Sequence, residues 1–287
     1  MKKILITGAS GQLGRSFINN VYGKYHILGT ARNLVDGIPF SEGNISDRSF
    51  ITKIIAEFSP DIIVHFASMT NVDKCEMYKS DANKVNVKPV EWILNVYSGY
   101  FVYISTDYVF DGVNGPYLEN DQKKPINEYG RTKLKAESLI QSQSTNGLIL
   151  RTNVLFDYTV WTGASFVNWL VKSLKNRKSI TVVTDQFNNP IWTTDLANIL
   201  IELIEKEVTG LYHTGGDEYI SRYEFAKMIA QKFKLDASLI LPISTEELNQ
   251  KAKRPLKGGL KTEKIEDVLG VSSPSLEKAL KKIISSK

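Results

Sequence analysis

Tyr129 and Lys133 stand four residues apart in Tyr129-Gly130-Arg131-Thr132-Lys133, a spacing that puts both side chains on one face of a helix. An ammonium so placed favours ionisation of a phenol whose ordinary pKa of about 10 otherwise limits it as an acid or base near neutrality. Upstream, Ser105-Thr106-Asp107 closes an apolar run, and the Thr106 hydroxyl is of the type that holds a carbonyl oxygen. A proton donor, a cation that tunes it and a hydroxyl that orients an electrophile together make a carbonyl-reducing set. The Tyr-x-x-x-Lys spacing alone proves little in a Lys-rich chain with 13 Tyr. The chain carries its own control, Tyr223 and Lys227, where the pattern reads as an amphipathic helix with Phe225 and Met228 packing inward.

The first copy has an amino terminus to match. Lys3 to Thr7 reads as a buried strand running straight into Gly8-Ala9-Ser10-Gly11-Gln12-Leu13-Gly14. A strand, spaced glycines and a helix form a phosphate-binding turn, which makes Gly8, Gly11, Gln12, Leu13 and Gly14 candidate dinucleotide contacts. The rest of the first half alternates. Strands are expected at His26-Thr30, Asp61-Phe66, Phe101-Ser105 and Leu148-Arg151, with helices over 12–22, 47–58, 81–97 and 129–141 between them. Ser46 is expected to cap the second helix, with Asp47 in its first turn. Strands separated by helices imply parallel crossovers and a sheet covered on both faces. After Arg151 the rhythm loosens around Trp161, Trp169 and Trp192. A helix over 195–205 and a strand at Leu211-His213 are expected to return to the sheet. A helix over 219–233 and a loop at Arg254-Pro255-Leu256-Lys257-Gly258-Gly259 complete a smaller lobe over the carboxyl ends of the strands, where open sheets bind ligands.

Composition narrows the function classes. The 287 residues are 42% hydrophobic, enough for a sizeable core, and no apolar run is long enough to span a bilayer. With no signal-peptide pattern, a soluble, cytoplasmic protein is expected, without membrane association. The single cysteine, Cys75, fits a reducing compartment and a small helix position. The net charge of +5 is spread along the chain, without the basic, aromatic-interleaved stripe that nucleic-acid binding needs, so a small acidic molecule is the expected partner. His26, His65 and His213 all lie in strand-like runs and are read as core or strand-end residues; no metal site is expected.

These blocks together resemble the extended short-chain dehydrogenase/reductases, and within them the dTDP-4-dehydrorhamnose reductase family. The likeness runs nearly end to end. It includes the glycine turn, Val72-Asp73-Lys74, Ser105 through Gly112, Pro125-x-Asn127-x-Tyr129-Gly130-x-Thr132-Lys133, Leu150-Arg151-Thr152, Asp185-Gln186-Phe187 with Pro190, and Arg254-Pro255 before Leu260-Lys261-Thr262. The resemblance implies an α/β, Rossmann-type doubly wound parallel sheet with a smaller α/β substrate lobe. Residues 1–155, with 191–213 returning, would bind the dinucleotide, and 156–190 with 214–287 the substrate. It also implies a role for each site residue. Tyr129 would protonate the C4 oxygen of a nucleotide-linked 4-keto-6-deoxy sugar as hydride arrives from a nicotinamide. Lys133 would bind the nicotinamide ribose, Thr106 the carbonyl oxygen, and Asp107 and Tyr108 the sugar.

For the cofactor, the end of the second strand offers Thr30-Ala31-Arg32-Asn33 and no carboxylate before Asp36. Arg32 suits a 2′-phosphate, so NADPH is expected over NADH, which stays compatible. Asn44 and Ile45 are expected along the adenine, and Ala67 and Ser68 along the pyrophosphate and ribose. The chain departs from the family at Asn153-Val154, where a Trp is usual, at Ser165-Phe166, and at Asn188-Asn189 after Asp185-Gln186-Phe187. Those positions bear on the sugar, so a different nucleotide sugar, or epimerisation, stays open beside dTDP-4-dehydro-L-rhamnose reduction. The carboxyl-terminal part is also similar to the regulatory beta subunit of methionine adenosyltransferase, which leaves a non-catalytic reading open. A homodimer is compatible with the sequence.

Overall fold

The computed structural model describes residues 1–33, 37–159 and 165–285. In chain order, the first half comprises β1 (Lys3–Thr7), α1 (Gln12–Val21), β2 (His26–Ala31), β3 (Phe40–Glu42), α2 (Arg48–Phe58), β4 (Ile62–His65), α3 (Val72–Met77), α4 (Lys79–Asn86), α5 (Lys88–Val96), β5 (Tyr100–Thr106), α6 (Glu128–Gln143) and β6 (Gly147–Thr152). The second half comprises β7 (Leu155–Phe156), α7 (Phe166–Lys175), β8 (Ile180–Val183), β9 (Phe187–Asn188), β10 (Ile191–Trp192), α8 (Thr193–Glu205), β11 (Gly210–His213), β12 (Ile220–Ser221), α9 (Arg222–Lys232), β13 (Ile240–Ile243), α10 (Thr245–Leu248), α11 (Glu263–Leu269) and α12 (Leu276–Ser285).

Seven strands form one all-parallel sheet in the order β11-β6-β5-β4-β1-β2-β3. Alternation along β1 shows how the layers assemble. Ile4 and Ile6 face Phe17, Leu196 and Leu200 of α1 and α8, while Leu5 faces Ile51, Val90, Ile93 and Ile140 of α2, α5 and α6. A separate core joins α7, α9 and α12 through Leu170, Phe225, Ile229 and Leu280, beside the parallel pair β8 and β13. The sheet is therefore doubly wound, with β1 at the point where the chain turns from β2 on one side to β4 on the other. Such a switch point opens a crevice at the carboxyl ends of the strands.

Three local expectations need correction. The helix expected over 81–97 breaks at Val87, because Pro89 has no N–H to donate and opens a new helix, α5. Asp47, not Ser46, caps α2, its carboxylate accepting from the Ser49 and Phe50 amides. The helix expected from Tyr219 starts at Arg222, since Ser221 forms a capping box with Glu224 and Ile220-Ser221 pairs antiparallel with β9. The three-residue β3 has too short an apolar signature to stand out in the sequence. His65 and His213 are buried strand residues and His26 is an exposed strand end. Cys75 is buried in α3. No described helix is long and apolar enough to cross a membrane.

Candidate active site

The glycine turn leaves β1 at Gly8, whose φ of 72° belongs to the left-handed region, and a Cβ there would lie 2.6 Å from the Ala67 nitrogen. A Cβ on Gly14 would lie 2.5 Å from the Gly8 carbonyl oxygen, so α1 packs directly on the turn. Gly11 caps α1 without a side-chain hydrogen bond, leaving the first helical amides, those of Gln12 and Leu13 among them, without a side-chain acceptor at the cap. The Leu13 side chain itself is buried in the core. The Gln12 Nε2 is buried without a hydrogen-bond partner. Free amides at a helix start and an orphaned buried donor fit the diphosphate of a dinucleotide.

Ala67 and Ser68 follow β4 at this crevice. The Ala67 amide donates to Thr7 Oγ1 at 3.3 Å and Ser68 Oγ donates to Asn86 Oδ1 at 3.0 Å. Arg32 follows β2 and is exposed; Asp36 lies outside the described residues. Asn44 follows β3 in a turn where its Oδ1 accepts from the Ser46 amide at 3.0 Å, and Ile45 packs against the core.

Thr106 ends β5 and caps a 3-10 turn, Asp107–Val109, by accepting from the Tyr108 amide at 3.2 Å. Its hydroxyl donates to Asp107 Oδ1 at 3.2 Å, and it lies near enough to the Tyr129 phenol to favour the ionised form. Tyr129 reaches it from the first turn of α6. That helix is capped by Asn127, whose Oδ1 accepts from the Gly130 amide at 2.9 Å. A Cβ on Gly130 would stand 2.0 Å from the Tyr108 carbonyl oxygen, so glycine lets α6 close onto the turn. The Tyr108 and Tyr129 rings meet edge to face at 5.9 Å. One helical turn on, buried Lys133 points its Nζ over the Tyr103 ring at 4.1 Å. The structure thus brings Thr106, Asp107, Tyr108, Tyr129 and Lys133 to the carboxyl end of β5.

Burial governs the electrostatics. It lowers the Lys133 amine to about 7, against the opposing pull of Glu137 and Cys75. It raises the Asp107 carboxyl to about 6, opposed by hydrogen bonds from the Gly259 amide and Thr106. Burial and the Asp107 charge push the Tyr129 phenol well up, with Thr106 pulling the other way. The expected easing of phenol ionisation is therefore reversed in the chain by itself, because burial penalises the phenolate more than its neighbours favour it. A neutral phenol is the proton-donating form.

Sequence reasoning missed the groups that hold this arrangement. Arg254 pairs with Asp73 at 2.9 Å, joining two blocks noted only as separate motifs, and the Asn127 Nδ2 donates to the Lys253 carbonyl at 2.9 Å. The loop at Arg254–Gly259 is thereby tied across the site, with the Gly259 amide donating to Asp107 Oδ2 at 3.1 Å. Buried Asn86 accepts from the Met69 amide at 2.7 Å and donates to Thr132 Oγ1 at 3.1 Å. A polar residue amid a helix was its only sequence signal. Two of the departures from the family pattern meet directly, Asn153 Nδ2 donating to Asn189 Oδ1 at 2.6 Å. Ser165 caps α7 by accepting from the Asn168 amide. Trp192 Nε1 donates to Asp157 at 3.1 Å, Trp169 is exposed, and Trp161 lies outside the described residues. The control pair, Tyr223 and Lys227, sits on α9 with Lys227 exposed and Phe225 and Met228 packed inward.

Comparison with known proteins agrees with the geometry. The sequence model of the RmlD substrate binding domain matches residues 1–287. The chain is 34% identical over 301 aligned positions to the dTDP-4-dehydrorhamnose reductase of Aggregatibacter actinomycetemcomitans, covering 99% of this chain and 98% of that protein. It is 32% identical over 285 positions to methionine adenosyltransferase 2 subunit beta of Danio rerio, covering 96% and 87%. Among solved structures, the dTDP-4-dehydrorhamnose reductase of Bacillus anthracis in complex with NADP superposes with a TM-score of 0.90 at 30% identity, covering 100% and 99%. A glycine turn at the switch point, a Thr-Tyr-Lys set on β5 and α6 and an end-to-end match lead to one assignment: the chain belongs to the RmlD family of extended short-chain dehydrogenase/reductases.

Proposed function

We propose that the protein is an NADPH-dependent reductase of the C4 ketone of a nucleotide-linked 4-keto-6-deoxy sugar, with dTDP-4-dehydro-L-rhamnose as substrate and dTDP-L-rhamnose as product. The observation that carries this reading is the gathering of buried Thr106, half-buried Tyr129 and, one helical turn further along α6, buried Lys133 at the carboxyl end of β5. It is supported by the names of the relatives and by NADP in the Bacillus anthracis structure. Gly8, Gly11, Gln12, Leu13 and Gly14 would hold the pyrophosphate, Ala67 and Ser68 the adjoining ribose, Asn44 and Ile45 the adenine, and Arg32 the 2′-phosphate. When bound, the reduced nicotinamide supplies the hydride. In the chemistry left to the chain, the Thr106 hydroxyl orients the carbonyl oxygen and Asp107 and Tyr108 place the sugar. The neutral Tyr129 phenol then gives its proton to the oxygen as negative charge develops there. Lys133, as an ammonium, offsets the charge left on the phenolate and holds the ribose hydroxyls.

In the same reading, residues 1–155 with 191–213 form the dinucleotide-binding domain, and 156–190 with 214–287 form the substrate lobe. The protein then works as a soluble cytoplasmic enzyme, with a homodimer as its simplest assembly. Purified protein incubated with NADPH and a panel of 4-keto nucleotide sugars should consume reduced nicotinamide in step with sugar, followed by absorbance. An epimerase would convert sugar without net consumption, and no turnover of any member would overturn the reading. The 32% identity to a methionine adenosyltransferase beta subunit favours a regulatory role as the second reading. Capture of a synthetase together with absent turnover would establish it.

A further inference from the structure

Behind the Tyr129–Lys133 helix turn lies a buried polar cluster that the mechanism above leaves unused. Arg151 of β6 is the largest of the fully buried described side chains. Its Nε donates to Glu137 Oε1 at 2.9 Å and its Nη2 to Glu137 Oε2 at 2.6 Å, a two-pronged pair. Arg151 Nη1 meets the Glu119 carbonyl at 3.3 Å and His213 Nε2 at 3.2 Å, and the Phe110 ring lies 5.2 Å from the guanidinium carbon. Ser105 Oγ donates to the same Glu137 oxygen that Arg151 Nε contacts. Taking two charges out of water costs several kcal/mol each, and apolar residues of like volume often serve stability as well. The placement of this pair points to a different use. Glu137 lies one turn beyond Lys133 on α6, and Ser105 immediately precedes Thr106 on β5.

We propose that Glu137, gripped by Arg151, is a positioning residue for this site: its carboxylate is the countercharge of Lys133, and through Ser105 it fixes the strand end that presents Thr106. The proposal rests on the reductase reading for Lys133 and Thr106. The groups acting on or facing Lys133 come from four elements. Tyr129 and Glu137 lie on its own helix, Cys75 on α3, His65 on β4 and Tyr103 on β5. His65 is held neutral by burial, its imidazole lowered to about 3, and the Cys75 thiol is raised to about 11. Glu137, one helical turn along α6 from Lys133, is the carboxylate whose charge favours the protonated amine.

The test is the pH dependence of kcat/KM and of NADPH affinity, the latter read from nicotinamide fluorescence. In the wild type, both should fall as pH rises through the Lys133 titration. Glu137→Gln keeps the size and hydrogen-bonding atoms but not the charge, and should move that basic limb down by about one pH unit or more. Glu137→Asp should return it toward the wild-type position. A uniform loss at every pH, or an unmoved limb, would overturn the proposal and mark the pair as a fold element only. If Glu137→Gln does not fold, Arg151→Lys is read instead. With the two-pronged grip lost, Glu137 acts more fully on Lys133 and the limb should move up; an unmoved limb again overturns the proposal. A wild type that binds NADPH but reduces no keto sugar would defeat the reductase reading, while the affinity profile would still judge Glu137.

Discussion

Replacing Lys133 by Met should raise stability at neutral pH while removing activity. The amine titrates near 10.5 when exposed and is lowered to about 7 in the fold, chiefly by burial. Between those two values the unfolded chain binds one more proton than the folded one. Wild-type stability therefore rises with pH across this window, and the cost of burying the amine is fully present below about 7 and gone above about 10.5. At pH 7 that cost has an upper bound of about 4 kcal/mol. The contact with the Tyr103 ring offsets roughly 1 kcal/mol of it. Met fills nearly the same volume without a charge, so a gain of roughly 2–3 kcal/mol is expected, or about 5 °C in melting temperature for a chain of this size. Parallel melts of both proteins from pH 7 to 10 provide the assay. The difference should be largest at pH 7 and shrink toward zero by pH 10. A variant that is less stable at pH 7, or a difference that stays constant with pH, would show that Lys133 is not held at the expense of the fold.

Three further outcomes are expected. Arg151→Met leaves the Glu137 carboxylate buried without its partner and should cost about 3–5 kcal/mol in denaturant unfolding, part of which the double variant with Glu137→Met recovers. Arg32→Ala should weaken NADPH at least tenfold, in line with about 1.5–3 kcal/mol for a charge-assisted hydrogen bond, and leave NADH nearly unchanged in fluorescence titrations; equal weakening would remove Arg32 from a phosphate contact. Gly14→Ala places a Cβ 2.5 Å from the Gly8 carbonyl oxygen, so α1 must shift and titrations should show weaker binding of both nicotinamide cofactors.

Much of this site was legible because its signals are local. A buried strand meeting Gly8 and Gly14, and a Tyr and Lys one helical turn apart, announce themselves in adjacent residues. Pro89 is equally local and divides the helix expected over 81–97. What escaped depends on the sheet order. Asp73 and Arg254 meet only because the loop at Arg254–Gly259 folds back over the site. Glu137 looks like any helix carboxylate until β6 brings Arg151 against it. The state of Tyr129 was also beyond pattern reading. Spacing reveals a neighbouring cation, whereas the direction of the phenol's shift depends on burial and on Asp107, which are properties of the packed chain.

The proposed role of Tyr129 as proton donor in a carbonyl reduction is decided by the turnover of Tyr129→Phe, with Tyr223→Phe as the matched control. Loss of the phenol should lower kcat by about a hundredfold or more while NADPH binding stays near that of the wild type, and the control should keep wild-type activity. Turnover by Tyr129→Phe at the wild-type rate would contradict the account.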